Sequence, residues 1–139
     1  MTVDVSETDD LETCLALRFT VFVEEQGVPA EEERDALDDT AVHLLARVDG
    51  TPMGCARVVF DGDTAKIGRV CVLKDARGKR LGLALMGAAL NTARARGAAQ
   101  AKLGAQLHAL PFYAALGFEA YGDEFPDGGM PHKMMAMAL

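Results

Sequence analysis

Ile67-Gly68-Arg69-Val70-Cys71-Val72-Leu73 and, after three intervening residues, Arg77-Gly78-Lys79-Arg80-Leu81-Gly82 place an apolar strand, a basic glycine-containing loop and a helix start in immediate succession. At such a junction the unpaired helix N–H groups point outward, glycine lets a ligand approach the backbone, and the positive end of the helix dipole favours phosphate. A diphosphate is the natural guest. A solvated basic turn has the same composition, so the loop by itself leaves both readings open. Its spacing matches neither Gly-x-x-x-x-Gly-Lys-Ser/Thr nor Gly-x-Gly-x-x-Gly, which argues against the common ATP and dinucleotide loops.

Three alternating apolar runs precede the loop, about Ala41 to Val48, Met53 to Phe60 and Ala65 to Leu73. Asp49-Gly50 and Asp61-Gly62-Asp63 separate them, and Asp-Gly suits the positive φ angles of tight hairpins, so an antiparallel meander is predicted. Beyond the loop, Leu81, Leu85, Ala88, Ala89 and Ala93 recur at helical spacing until Gly97, with Arg94 and Arg96 at the negative end of the dipole. Ala98 to Gly104 reads as a buried strand, reached by a right-handed crossover if it runs parallel to the last meander strand. A short helix over Pro111 to Leu116 stops at Gly117, and Phe118 to Tyr121 and Lys133 to Leu139 read as closing strands.

Upstream, Thr2 to Val5 reads as a first strand. Asp9 followed by Glu12 reads as a capping box opening a helix whose core stripe is Leu11, Leu15, Phe19, Phe22 and Val23. Gln26, Gly27 and Pro29 end it, and Ala30 to Asp39 is predicted to be a loop with a short helical turn, too acidic to pack. The expected architecture is α/β of the α+β type: a mixed central sheet, an antiparallel meander followed by a strand-helix-strand crossover, and helices on both faces.

The chain has 139 residues, half of them apolar, which suits one domain and leaves no room for a second. Cys14, Cys55 and Cys71 are an odd count in apolar stretches, so a reducing compartment is expected rather than a disulfide framework. No apolar run approaches the roughly 18 residues that span a bilayer, and Met1 to Asp10 is acidic where a leader is basic, so a cytoplasmic protein off the membrane is expected. The net charge of −7 is local: Glu24 to Asp39 holds eight acids against Arg34 alone, and the remainder balances at 13 against 13. With no broad basic face, two tyrosines and no tryptophan, nucleic acid is a poor partner. The acidic tract is either a solvated surface or a field that steers a cationic substrate.

The loop resembles the pyrophosphate-binding signature of the GNAT superfamily of N-acetyltransferases: Gln or Arg, two free positions, Gly, one free position, then Gly or Ala. Arg77 and Gly82 match its ends, while Arg80 stands where the first signature glycine sits. The likeness extends to Val21-Phe22-Val23-Glu24-Glu25-Gln26 with Val28-Pro29, to Ile67 to Leu73, to Pro111-Phe112-Tyr113 with Leu116-Gly117-Phe118, and to Met130-Pro131-His132. Together these are similar to the small bacterial branch called ElaA-like or YjcF-like. The resemblance implies a sheet split into a V between its fourth and fifth strands, with acetyl-CoA as cosubstrate. Its pyrophosphate would lie on Arg77, Gly78, Lys79, Arg80, Leu81 and Gly82 beside Phe112, and its pantetheine arm along the main chain of Val70, Cys71 and Val72. The family asparagine at the end of the fifth strand is replaced by Gly104, with Gln106 a possible substitute.

Acyl transfer from a thioester to an amine requires a neutral amine, a stabilised oxyanion and a proton for the departing thiolate. By resemblance, Tyr113 is the general acid. Its ordinary pKa of about 10 exceeds that of a thiol, about 8.5, so it can assist departure without permanent loss of its proton. Either Glu24 or Glu25, with Glu25 preferred, or His132 is a candidate base. Cys71 as an acyl-carrying nucleophile is disfavoured, because nothing beside it in sequence lowers a thiol pKa. No metal is expected, since the histidines are scattered and no Cys-x-x-Cys or His-x-x-x-His spacing exists. The expected acceptor is a small-molecule or peptide amine. A homodimer is compatible with this reading, which does not fix the oligomeric state. The rival classes are a non-catalytic CoA-binding or sensor domain, motivated by Arg80 and Gly104, and an acidic arm that docks a basic protein.

Overall fold

The computed structural model describes the whole chain, Met1 to Leu139, as one seven-stranded sheet with strand order β1-β2-β3-β4-β5-β7-β6. The meander consists of β2 (Val42–Val48), β3 (Thr51–Asp61) and β4 (Thr64–Val72), all antiparallel. Asp49 and Gly50, at φ 49° and 84°, form the first hairpin with both central residues left-handed, the conformation for which Asp-Gly is selected. β1 is longer than its first few residues suggest: it spans Val3–Thr8 and pairs antiparallel with β2 along that whole length.

Helix α3 (Leu81–Ala95) follows the basic loop and leads into β5 (Gln100–Gln106), which runs parallel to β4. α3 covers one face of the sheet with Leu81, Leu85, Met86, Ala89, Leu90 and Ala93, packed on Leu44, Ala46, Ala56 and Val58. On the other face, helix α1 (Leu11–Arg18) packs Cys14 and Leu17 against Leu45, Cys55 and Cys71. Leu44 and Leu45 thus serve opposite cores, as the two-residue period of a strand requires.

The β4–β5 ladder is short, pairing only Thr64, Ala65 and Lys66 with Gln100, Ala101 and Lys102. Beyond it β4 turns away. Three steps of β4, Gly68 to Cys71, oppose two of β3, Cys55 to Arg57, and the extra residue is taken up beside Arg69 at φ 51°. A bulge of this kind bends its strand. β5 meanwhile stays paired along its length with β7 (Met130–Ala138), so a V opens between β4 and β5.

Four expectations need correction. The first helix is capped by Asp10 rather than Asp9: its side chain accepts from the Thr13 N–H at 3.1 Å and from the Thr13 hydroxyl at 2.6 Å. The expected core stripe is displaced too. Cys14, Leu17, Arg18 and Val21 are the buried residues, and Phe19 is 47% exposed. Arg18 occupies the core face because carboxylates meet it there, and from Phe19 to Glu25 the backbone widens to a π-helix that rotates the face.

Third, the tract Ala30 to Asp39 packs rather than remaining a loop. It forms the one-turn helix α2 (Ala30–Glu33) and a 3-10 turn, Ala36–Asp39, and buries Glu33 and Asp38 against arginines from elsewhere in the fold. Fourth, the closing strands are longer than their apolar cores: β6 is Glu119–Asp127 and pairs with β7 around a tip at Gly128 and Gly129. His132 therefore sits inside a strand. The short helix is α4 (Leu110–Ala115).

Candidate functional site

The V holds a cleft of about 520 Å³. One wall is β4 from Ile67 to Val72, the other is Leu103, Gly104 and Gln106 of β5, and Tyr113 of α4 closes one side. The opposite end is formed by Phe22, Val28, Glu32, Glu33, Arg69 and the β6–β7 hairpin, through Asp127, Gly128, Met130 and His132. Of the residues singled out by sequence, Val70, Cys71, Val72, Arg77, Tyr113 and His132 border this cleft. Gly78 to Gly82 and Phe112 do not; they lie at its rim, around the start of α3.

That rim is built of backbone. Gly78 at φ 85° and Arg80 at φ 62° turn the chain left-handed twice before α3 begins. The N–H groups from Gly78 to Leu83 have no acceptor within the protein; the first helix donor to be satisfied is Ala84, which binds the Arg80 carbonyl at 3.1 Å. Alternating left- and right-handed backbone ahead of a helix makes a concave row of donors suited to an anion. A Cβ added to Gly82 would lie 3.7 Å from the Phe112 ring, so that ring flanks the row.

Arg80 explains why the related signature prefers glycine: a side chain in left-handed backbone costs roughly 1–2 kcal/mol. Arg80→Gly should therefore raise stability by up to about 1 kcal/mol after the larger unfolded-state entropy is subtracted, whereas Arg80→Val should lower it. Urea denaturation of the two variants checks the sign.

Arg77 points away from the row. Its Nε donates to the Val72 carbonyl at 3.1 Å, and its Nη2 donates to both oxygens of Glu25 at 3.0 and 2.9 Å. Glu25 is thus held at the end of the π-helical turn, outside the cleft lining, with its carboxylate engaged. Glu24 is exposed and likewise off the cleft. Cys71 turns its carbonyl toward β3, 2.8 Å from where a Cβ on Gly54 would be, and its thiol lies 3.5 Å from that of Cys55 in the core under α1. The alternation of a strand turns the Val70 and Val72 carbonyls to the open edge, where that of Val72 is taken by Arg77 Nε. All three cysteines are free and buried.

Tyr113 is wedged edge-to-face between Phe112, at 5.0 Å and 75°, and Phe118, at 6.1 Å and 77°. Burial pushes its pKa above the ordinary tyrosine value, which keeps the phenol protonated at neutral pH. Every buried side-chain polar atom has a partner, and the Tyr113 hydroxyl has none within the chain, so it opens on the cleft.

His132 is oriented in the same way. It is only 7% exposed, and its Nδ1 lies 2.9 Å from the Met130 carbonyl. A carbonyl accepts only, so Nδ1 carries the proton and Nε2 of the neutral ring keeps its lone pair. Nε2 has no partner in the chain and is not sealed in, so it faces the cleft. The Phe125 ring, 5.8 Å away, covers the imidazole.

Phe125 also accounts for Gly104, where a Cβ would come within 3.3 Å of the ring. Gln106 is not free to replace a missing asparagine. Its amide nitrogen donates to Gln26 at 3.0 Å, and its oxygen accepts from His108 at 2.6 Å, so it straps the two arms of the V together. Sequence reasoning missed this strap, the Phe125–His132 stack and the Glu32–Asp127 end of the cleft, since each joins residues distant in sequence. No group of His, Cys, Asp and Glu is arranged to hold a metal ion, and no helix is long and apolar enough to cross a membrane.

Residues 7–139 match the family described as acetyltransferase (GNAT) domain. The chain is 37% identical over 128 residues to the uncharacterized N-acetyltransferase YjcF of Bacillus subtilis, covering 91% of each protein. Among solved structures it resembles an acyl-CoA N-acyltransferase from Pseudomonas aeruginosa, with a TM-score of 0.88 and 31% identity over 99% of this chain and 100% of that one. It also resembles Escherichia coli ElaA, with a TM-score of 0.86 and 29% identity over 98% and 99% of the two chains.

Proposed function

The chain belongs to the GNAT acetyltransferase family, and we propose that it moves an acetyl group from acetyl-CoA to a primary amine by direct attack, with Tyr113 as proton donor and His132 as proton acceptor. The observation that carries the donor is the row of unsatisfied N–H groups from Gly78 to Leu83, with Lys79 and Arg80 beside it. A pyrophosphate accepts several such bonds at once, and the α3 dipole adds to them. The arm attached to it would enter between β4 and β5, along the edge that the short ladder leaves unpaired.

At the bottom of the V the amine nitrogen attacks the thioester carbonyl carbon, and the carbon–sulfur bond breaks. The attacking amine is neutral; its proton goes to His132 Nε2, the departing thiolate takes a proton from the Tyr113 hydroxyl, and the imidazolium and phenolate are reset by proton exchange through water. His132 suits its part because the Met130 carbonyl fixes the tautomer with a free lone pair on the cleft side. Glu25 has a different part: it holds Arg77, and through it the end of β4, against the π-helical turn. The free, buried thiols agree with a reducing, cytoplasmic setting.

A thermal-denaturation series with CoA, acetyl-CoA and ATP tests the donor. At ~100 times its Kd a specific ligand adds about 2.7 kcal/mol to the folded state. Stabilisation by the two CoA compounds and not by ATP is expected, with the Gly78 to Leu83 amides shifting in an NMR titration. Unmoved amides at saturation would refute the donor site. Amine-dependent CoA release then tests the transfer itself.

A further inference from the structure

The acceptor end of the cleft is charged in a way that the transfer reading does not use. Glu33 and Arg69 line it as a pair at 2.9 Å, with the arginine also binding Asp35, so these charges are mutually neutralised. Glu32 and Asp127 also line it, and neither carboxylate enters an ion pair. They come from separate chain segments, α2 and the end of β6. Both nevertheless flank one end of the cleft, because Gly128, next to Asp127, sits against Val28, just ahead of α2: a Cβ on Gly128 would be 2.9 Å from the Val28 side chain. On the shared face of the β6–β7 hairpin, apolar Met130 is paired with Asp127 and stands two residues before His132, which is only 7% exposed, and Val28 adds a further apolar side chain to the same end of the cleft.

We infer that the acceptor is a primary amine bearing a second cationic group beyond a short aliphatic spacer, with the attacking nitrogen at His132 and the distal cation between Glu32 and Asp127. This rests on the transfer reading above and deepens it. The chemistry is complementary throughout. An ammonium at the acidic end keeps its charge, the spacer meets apolar lining, and the near nitrogen gives up its proton to the imidazole, where the distal cation itself lowers that nitrogen's affinity for a proton. A carboxylate at the same distance would meet two negative charges and be rejected.

The test compares three acceptors of equal chain length and different ends, n-butylamine, putrescine and γ-aminobutyrate, at saturating acetyl-CoA. Putrescine should exceed n-butylamine in kcat/KM by about tenfold in low salt, and γ-aminobutyrate should be the poorest. The Glu32→Gln, Asp127→Asn double variant should bring the putrescine to n-butylamine ratio close to one, chiefly by raising KM for putrescine. A wild-type ratio near one, or a ratio that survives in the double variant, overturns the inference while transfer stands. Failure of all three amines to release CoA from a protein that binds acetyl-CoA overturns the transfer reading instead. The subsite is then read separately, by whether putrescine shifts the Glu32 and Asp127 amides of the CoA-loaded protein; unmoved amides overturn it too.

Discussion

Replacing Tyr113 by Phe is expected to lower kcat by about 10² to 10⁴, the usual contribution of a positioned general acid. The fold should not suffer, because the packing against Phe112 and Phe118 is made by the ring, and the hydroxyl has no partner in the chain to lose. CoA binding as proposed should change little, since the row of free N–H groups lies in the loop and first turn of α3 and not on α4. The loss should appear equally in kcat and kcat/KM, because the proton is needed only as the thiolate departs.

The pH dependence gives a second handle on the same residue. Burial raises the Tyr113 pKa above its ordinary value, so the phenol is still protonated well into the alkaline range. The variant's deficit should therefore be constant from neutral pH to about pH 9, below the ordinary tyrosine pKa of about 10. Steady-state release of CoA with a primary amine measures both. Undiminished turnover in the variant removes Tyr113 from the mechanism.

Much of this architecture is readable from the sequence because its signals are local. Asp49-Gly50 specifies a hairpin by backbone sterics alone, and Arg77 to Gly82 followed by Leu81, Leu85, Ala89 and Ala93 specifies loop then helix by charge and period. Local signals fail where a residue is buried by a partner far along the chain. Arg18 looks like a solvent-facing position until Glu33 and Asp38 are brought to it, and the acidic tract looks unpackable until Arg18, Arg57 and Arg69 converge under it.

The site divides the same way. Tyr113, His132 and the β4 edge can be named from motifs, but their meeting in one cleft depends on a β4–β5 ladder only three residues long and on a bulge at Arg69, a residue with no sequence mark of left-handed backbone. Glu25 carries a motif too, yet its carboxylate is directed by Arg77, 52 residues away. Proximity in a motif says little about where a long side chain will find its charge.

The converging arginines lead to the other large effect. Arg18 is 1% exposed and reaches its partners through every nitrogen: Nε to Glu33 at 2.9 and 3.0 Å, Nη1 and Nη2 to Asp38 at 2.7 and 3.1 Å, and Nη2 also to the Glu33 carbonyl at 3.0 Å. Asp38 is equally enclosed, accepting from Arg57 at 2.9 Å and from the Asp35 amide at 3.2 Å as well. Removing one member of a buried ionic group costs far more than the group itself contributes, because the remaining charges are left desolvated. Arg18→Met keeps the volume and abolishes the charge, and should destabilise the protein by about 3–5 kcal/mol in urea at neutral pH.

Acid should act through the same group. Burial works against the Asp38 charge, but hydrogen bonds from Arg18, the Asp35 amide and Arg57 outweigh it and hold its carboxyl well below the usual carboxylate range. The Arg57 hydrogen bond, opposed by burial, lowers that of Asp35. For carboxyls depressed by folding, the stabilisation is complete above the unfolded value of about 3.9 and is lost as pH falls below it. Wild-type stability should thus drop steeply below about pH 4, and Arg18→Met should flatten that drop, since Asp38 no longer gains its principal donor. A variant as stable as wild type, with an unchanged acid slope, would mean that Arg57 and Arg69 alone suffice to hold the acidic tract over β4. If Arg18 does hold it, the variant should also weaken the acceptor binding inferred above, since Glu33, its partner at 2.9 Å, and the adjacent Glu32 both line the cleft.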